Sequence, residues 1–95
     1  MRGEYFYNAP YLFSLLVNIY SEQESYDEAL VFMKKRMLYE TSPILYKQVA
    51  EIAIHVDLDL ALEYAEKALK QAEKDGWNLE TFEKLFEEIK NDMNR

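Results

Sequence analysis

Signals that start and stop helices recur along this chain at about one helix length, and little else interrupts it. Two glycines and two prolines serve 95 residues. Asn8-Ala9-Pro10 opens a first helix, with Asn8 or Ala9 as cap and Pro10 in the first turn, where a missing N–H costs nothing. Apolar residues then recur at Tyr11, Leu12, Leu15, Leu16, Ile19 and Tyr20, a helical period. Ser25-Tyr26-Asp27-Glu28 reads as a capping box before a second helix through Ala29, Leu30, Met33, Met37 and Leu38. Ser42-Pro43 starts a third, with Ile44, Leu45, Val49, Ile52, Ala53 and Val56 as its stripe. Asp57 caps a fourth, through Leu58, Ala61, Leu62, Ala65, Ala68, Leu69 and Ala72, and Gly76 ends it. Asn78 caps a fifth, with Leu79, Phe82, Leu85, Phe86, Ile89 and Met93 on one face. No segment alternates like a strand between hairpin turns. The expectation is an all-α chain, one domain over residues 1–95, with five helices joined by short connections.

Composition narrows the function classes. A hydrophobic fraction of 49% supplies a core, and 31% charged residues solvate its outside. With no cysteine there is no disulfide scaffold and no thiolate metal site. A net charge of −7 opposes non-specific nucleic-acid binding, which relies on neutralising phosphates. The one basic run, Lys34-Lys35-Arg36, falls in the last turns of the second helix, where cations complement the helix dipole. No apolar stretch reaches the roughly 18 to 20 residues that span a bilayer. Met1-Arg2-Gly3-Glu4 is not followed by the apolar run of a signal peptide. A cytoplasmic protein with neither nucleic-acid nor membrane partners is expected.

The helices come in pairs, which invites a search for self-similarity. A shift of 32 residues carries Phe13, Leu16, Val17, Tyr20, Ala29 and Met33 onto Leu45, Gln48, Val49, Ile52, Ala61 and Ala65. Only Gln48 of the second set is polar. The fifth helix repeats the start of the unit at Leu79, Phe82 and Phe86, with Leu79 lying 34 residues beyond Leu45.

On these residues the chain resembles the tetratricopeptide repeat family. Its pattern places an aromatic, a leucine, a small residue and a tyrosine on a first helix, then an alanine and an aromatic on a second. Phe13-x-x-Leu16-Val17-x-x-Tyr20 and Ala29-x-x-x-Met33 supply one unit, and Tyr26-Asp27-Glu28-Ala29-Leu30 is its most family-like stretch. The family's glycine is replaced by Val17, Val49 and Glu83. The resemblance implies two antiparallel helix hairpins (9–40 and 42–75) and a C-terminal capping helix (78–93), forming a fragment of a right-handed α-solenoid. The capping helix has a polar outer face of Glu80, Glu83, Lys84, Glu87, Lys90 and Asn91.

The same resemblance implies a concave groove that takes a peptide or protein partner, lined by the first helices of the hairpins. Mapped onto this chain, it draws on Tyr11, Ser14, Asn18, Ser21, Tyr46, Ala50, Trp77, Glu80 and Lys84. Aromatics among small polar residues suit peptide contact. The family's clamp for a C-terminal carboxylate is not supported. Asn18 fits one clamp asparagine, but Ser14, Lys47, Trp77 and Thr81 stand where the remaining clamp residues belong. The alternative to an adaptor is a self-associating assembly protein. It would dimerise through its uncapped N-terminal end, where Tyr5, Phe6 and Tyr7 form an aromatic segment within residues 1–8.

Catalysis finds little to work with. His55 is the only histidine, with Glu51 and Asp59 one turn away and Asp57 close in sequence; the Glu51–His55 pair has metal-ligand spacing, but a helix-end histidine beside the last carbonyls or Glu51 explains it more simply. The carboxylates of the last two helices alternate with lysines as Glu63–Lys67, Glu66–Lys70 and Glu80–Lys84, the i, i+4 order that supports a solvated helix face. No catalytic residue, metal or cofactor is assigned. The expected work is protein–protein interaction.

Overall fold

The structure, a computed structural model, describes residues 9–94. Among them all regular structure is helical: α1 (Ala9–Glu22), α2 (Tyr26–Arg36), α3 (Pro43–Ala53), α4 (Leu58–Lys74) and α5 (Glu80–Met93). The chain divides into two compact units, one ending at Thr41 and one beginning at Ser42.

In the first unit α1 and α2 pack together across a tight turn. The turn is a Schellman motif. The N–H of Ser25 donates to the Tyr20 carbonyl at 2.8 Å, and that of Glu24 to the Ser21 carbonyl at 3.1 Å. This geometry needs a left-handed residue, and Glu24 supplies it with φ 61°. The expected capping box does not form. Ser25 is the N-cap of α2, yet its hydroxyl makes no capping bond. Its ψ of 68° departs from the extended backbone that aims an N-cap side chain at the first turn.

Val17 of α1 and Ala29, Leu30 and Met33 of α2 are buried. Beside them Phe32 lies against two α1 rings one above the other, Tyr20 at 5.5 Å and Phe13 at 6.2 Å between centroids. The sequence stripe runs past the end of α2. The helix stops at Arg36, and Leu38 is 84% exposed. The α1 stripe is also placed differently from expectation, since Tyr11, Leu12, Leu15 and Ile19 are exposed and Val17 takes the buried position.

The second unit is built around α4, which packs against both α3 and α5. Ala61, Ala65, Ala68 and Ala72 form one buried row along it. Side chains this small let two helix backbones approach α4 closely, and larger residues fill the space from the neighbours. Val49, Ile52 and Ala53 of α3 and Phe82, Leu85 and Ile89 of α5 are buried. Ile44 and Val56, expected in the α3 stripe, are half-exposed, and Val56 lies beyond the helix end.

The caps of this unit follow its sequence. The Ser42 hydroxyl accepts from the Leu45 N–H at 3.2 Å, with Pro43 opening α3. An Asp57 carboxylate oxygen accepts from Asp59 N–H at 2.9 Å and from Leu60 N–H at 3.4 Å. Both caps have extended backbone. Gly76, at φ 78°, is the left-handed residue of a second Schellman motif, closed by Trp77 N–H to the Ala72 carbonyl at 2.9 Å and Gly76 N–H to the Glu73 carbonyl at 3.2 Å. The Asn78 side chain accepts from Glu80 N–H at 2.9 Å, so it serves the start of α5 although the helix begins two residues later.

Candidate interaction surfaces

The residues expected to meet a partner have separate fates, taken unit by unit. On α1, Tyr11 is 65% exposed and Asn18 is also exposed. Ser14 is half-buried, and its hydroxyl accepts a hydrogen bond from Arg36 Nε at 3.1 Å. Ser14 therefore holds α1 to the end of α2. Arg36 also approaches Glu40 at 3.7 Å. The basic run is thus not one patch: Arg36 turns inward, while Lys34 and Lys35 stay exposed. Tyr5, Phe6 and Tyr7 lie outside the described residues.

In the second unit, Ala50 is 0% exposed. It belongs to the buried row of α3 and offers a partner no surface. Tyr46 is half-buried, its ring 6.0 Å from that of Tyr64, which Lys67 covers with its ammonium 4.7 Å from the ring centre. Trp77 sits in the turn after Gly76, 41% exposed, with its ring 6.2 Å from Phe82. Tyr46 packs against the cluster of Ala68, Ala72 and Phe82, and Trp77 meets the same cluster through Phe82. Two of the expected aromatics therefore border one apolar centre. Glu80 is exposed at the first position of α5, where its charge complements the helix dipole.

Lys84 belongs to a different neighbourhood. With Thr81, Leu85 and Glu88 of α5 and Lys47 and Glu51 of α3, it lines a shallow depression of about 260 Å³. A second depression of about 360 Å³, lined by Ile54, Glu88, Asn91 and Asp92, shares Glu88 with the first, so the two adjoin along α3 and α5. Lys47 and Glu51 are paired at 3.4 Å on its α3 side. That pair is not among the expected ones; of those, the two on α4 form, Glu63–Lys67 at 3.5 Å and Glu66–Lys70 at 3.6 Å.

Mapping the groove from the repeat pattern finds Lys84, meets Lys47 and Thr81 only as departures from the carboxylate clamp, and misses Glu51 and Glu88. The spacing holds the missed signal. Lys47 and Glu51 are four apart, and Thr81, Lys84 and Glu88 are three and four apart, so each set shares a helix face. The rotation of that face toward its neighbour is not legible in spacing alone.

Among the described residues no three His, Asp or Glu side chains gather to hold a metal ion. No described helix is long and apolar enough to cross a membrane. No protein-family model matches the chain. No curated protein and no solved structure matches it either.

Proposed function

We propose that the chain is a non-catalytic, cytoplasmic protein-interaction module of tetratricopeptide-like hairpins, which takes a peptide or protein partner on the face of its first helices. The observation that carries this reading is the pair of adjoining depressions along α3 and α5. Lys47, Lys84, Glu51 and Glu88 place both signs of charge along it, and Leu85 supplies apolar floor. Such a surface suits an extended peptide of alternating charge, whose side chains find opposite partners on both walls. The exposed face of Trp77 adds an aromatic contact in the same unit, of the kind enriched at interface centres.

The test is selection of a random-sequence peptide library on the immobilised full chain. Amide chemical shifts would then be mapped with the enriched peptide. Shifts concentrated at Lys47, Thr81, Lys84 and Glu88, and at least tenfold weaker binding by Lys84→Glu, are the expected result. Enriched peptides that leave those amides unmoved would remove this face from consideration.

A second reading, self-association, is favoured by a different observation. Helix α1 leaves Tyr11, Leu12, Leu15 and Ile19 exposed, although it carries no charge between Ala9 and Ser21.

A further inference from the structure

Helix α1 is apolar on two opposite sides. Val17 marks the buried side, with Phe13 and Tyr20 near it against Phe32. At about 100° per residue, Tyr11, Leu15 and Ile19 lie across the helix from Val17, with Leu12 at their edge. Tyr11 is 65% exposed, Leu12 49%, Leu15 39% and Ile19 46%. Together they leave on the order of 400 Å² of apolar surface, within the range of the largest patch on an ordinary monomer and commonly a contact site. The apolar side that stays exposed, opposite the one already buried, is the kind of face a partner covers.

We propose that this stripe is covered by α1 of a second copy, lying antiparallel across a two-fold axis at Leu15. The proposal rests on the self-association reading above and supplies its geometry. Two observations select this occupant. The first is spacing. Tyr11 and Ile19 each stand four residues from Leu15. A two-fold axis through Leu15 sets Leu15 against Leu15 and Ile19 of each copy against Tyr11 of the other. A two-fold interface requires a pattern that is its own complement in this way.

The second is charge. A chain of net charge −7 repels its own copy across most of its surface. Two α1 helices meet without a like-charge cost, because the first charge of α1 is Glu22 in its last turn. Antiparallel pairing holds the two Glu22 side chains at opposite ends of the contact, whereas parallel pairing brings them together. The helix also carries no lysine or arginine to meet acidic lipid headgroups, the usual companion of an interfacial helix. The stripe offers about half of the roughly 800 Å² that each partner gives a standard interface, so the dimer is weak and concentration-dependent.

Sedimentation equilibrium on the full chain, from low micromolar to near-millimolar concentration, tests this together with Leu15→Glu and Leu15→Lys. The wild type shifts from monomer to dimer across the range. Each variant alone raises the dissociation constant at least tenfold and, at low micromolar concentration where all are monomeric, keeps the melting temperature of the wild type. An equimolar mixture of the two variants associates at least tenfold more tightly than either alone, because opposite charges now meet at the axis. A wild type that stays monomeric overturns the proposal, as does assembly beyond the dimer. A dimer that survives both substitutions, or a mixture no tighter than its components, places the contact elsewhere and also overturns it. A variant that melts earlier at low micromolar concentration, where both proteins are monomeric, shows that the chain itself covers the stripe, and the proposal falls in that case too. None of these substitutions lies on α3 or α5, so peptide binding there stands or falls separately.

Discussion

Arg36 Nε donates to Ser14 Oγ at 3.1 Å, joining the last turn of α2 to the second turn of α1 across 22 residues of sequence. The arginine side chain is 18% exposed, and its Nη1 is buried with no hydrogen-bond partner among the described residues. A charged group so placed depends on the few acceptors it has. Ser14→Ala removes one of them and leaves a further guanidinium nitrogen unmatched. The expected cost is about 1–2 kcal/mol. Chemical denaturation with an unchanged m-value would record it, and a loss near zero would mean that water replaces the hydroxyl.

The two Schellman turns make opposite predictions. Glu24 holds a left-handed backbone at φ 61° that glycine adopts without steric cost. Glu24→Gly should stabilise the protein by about 0.5–1 kcal/mol, after allowance for glycine's greater freedom in the unfolded chain. Gly76 holds the same role at φ 78°, and a Cβ added there meets nothing within 4 Å. The cost of Gly76→Ala is therefore conformational, about 1 kcal/mol. Thermal melts of the two variants should move in opposite directions.

Capping offers a sharper contrast, because two serines in equivalent sequence positions behave differently. Ser42 accepts from Leu45 N–H, whereas Ser25 makes no capping bond. Ser42→Ala should cost about 0.5–2 kcal/mol, and Ser25→Ala well under that. Equal losses at both sites would show that Ser25 caps α2 in solution.

Ala65 is 1% exposed at the middle of the α4 row. Ala65→Leu asks the helices around it to separate, and overpacking of this kind costs about 1–3 kcal/mol. Ala65→Gly should also destabilise, through the backbone, by about 1 kcal/mol. A stable leucine variant would mean that α4 has room beside it.

How much of this can be read from the chain depends on how local each feature is. Asp57, Ser42 and Gly76 act within a few residues of themselves, and their roles are legible from residue type alone. Ser25 has the same credentials as Ser42, but its backbone is set by the left-handed Glu24 before it, and no glycine announces that turn. The Ser14–Arg36 contact is invisible to periodicity because the partners lie on different helices. On α1 the pattern is ambiguous in itself. With apolar residues on both sides, periodicity cannot say whether Val17 or Leu15 faces inward. The repeat pattern places the candidate groove one face away on α3 for the same reason. Residue types put Ala50 and Lys47 on the helix, and only its rotation decides that Ala50 is buried while Lys47 lines the depression.

Trp77 is the chain's one tryptophan, and its ring touches Phe82 at the junction of α4 and α5. Its emission therefore watches the second unit. Six of the eight tyrosines precede Ser42. Tryptophan fluorescence followed beside far-ultraviolet circular dichroism thus turns this turn residue into a built-in gauge of cooperativity. Coincident unfolding curves would make the two units one thermodynamic body, and separated curves would make them two.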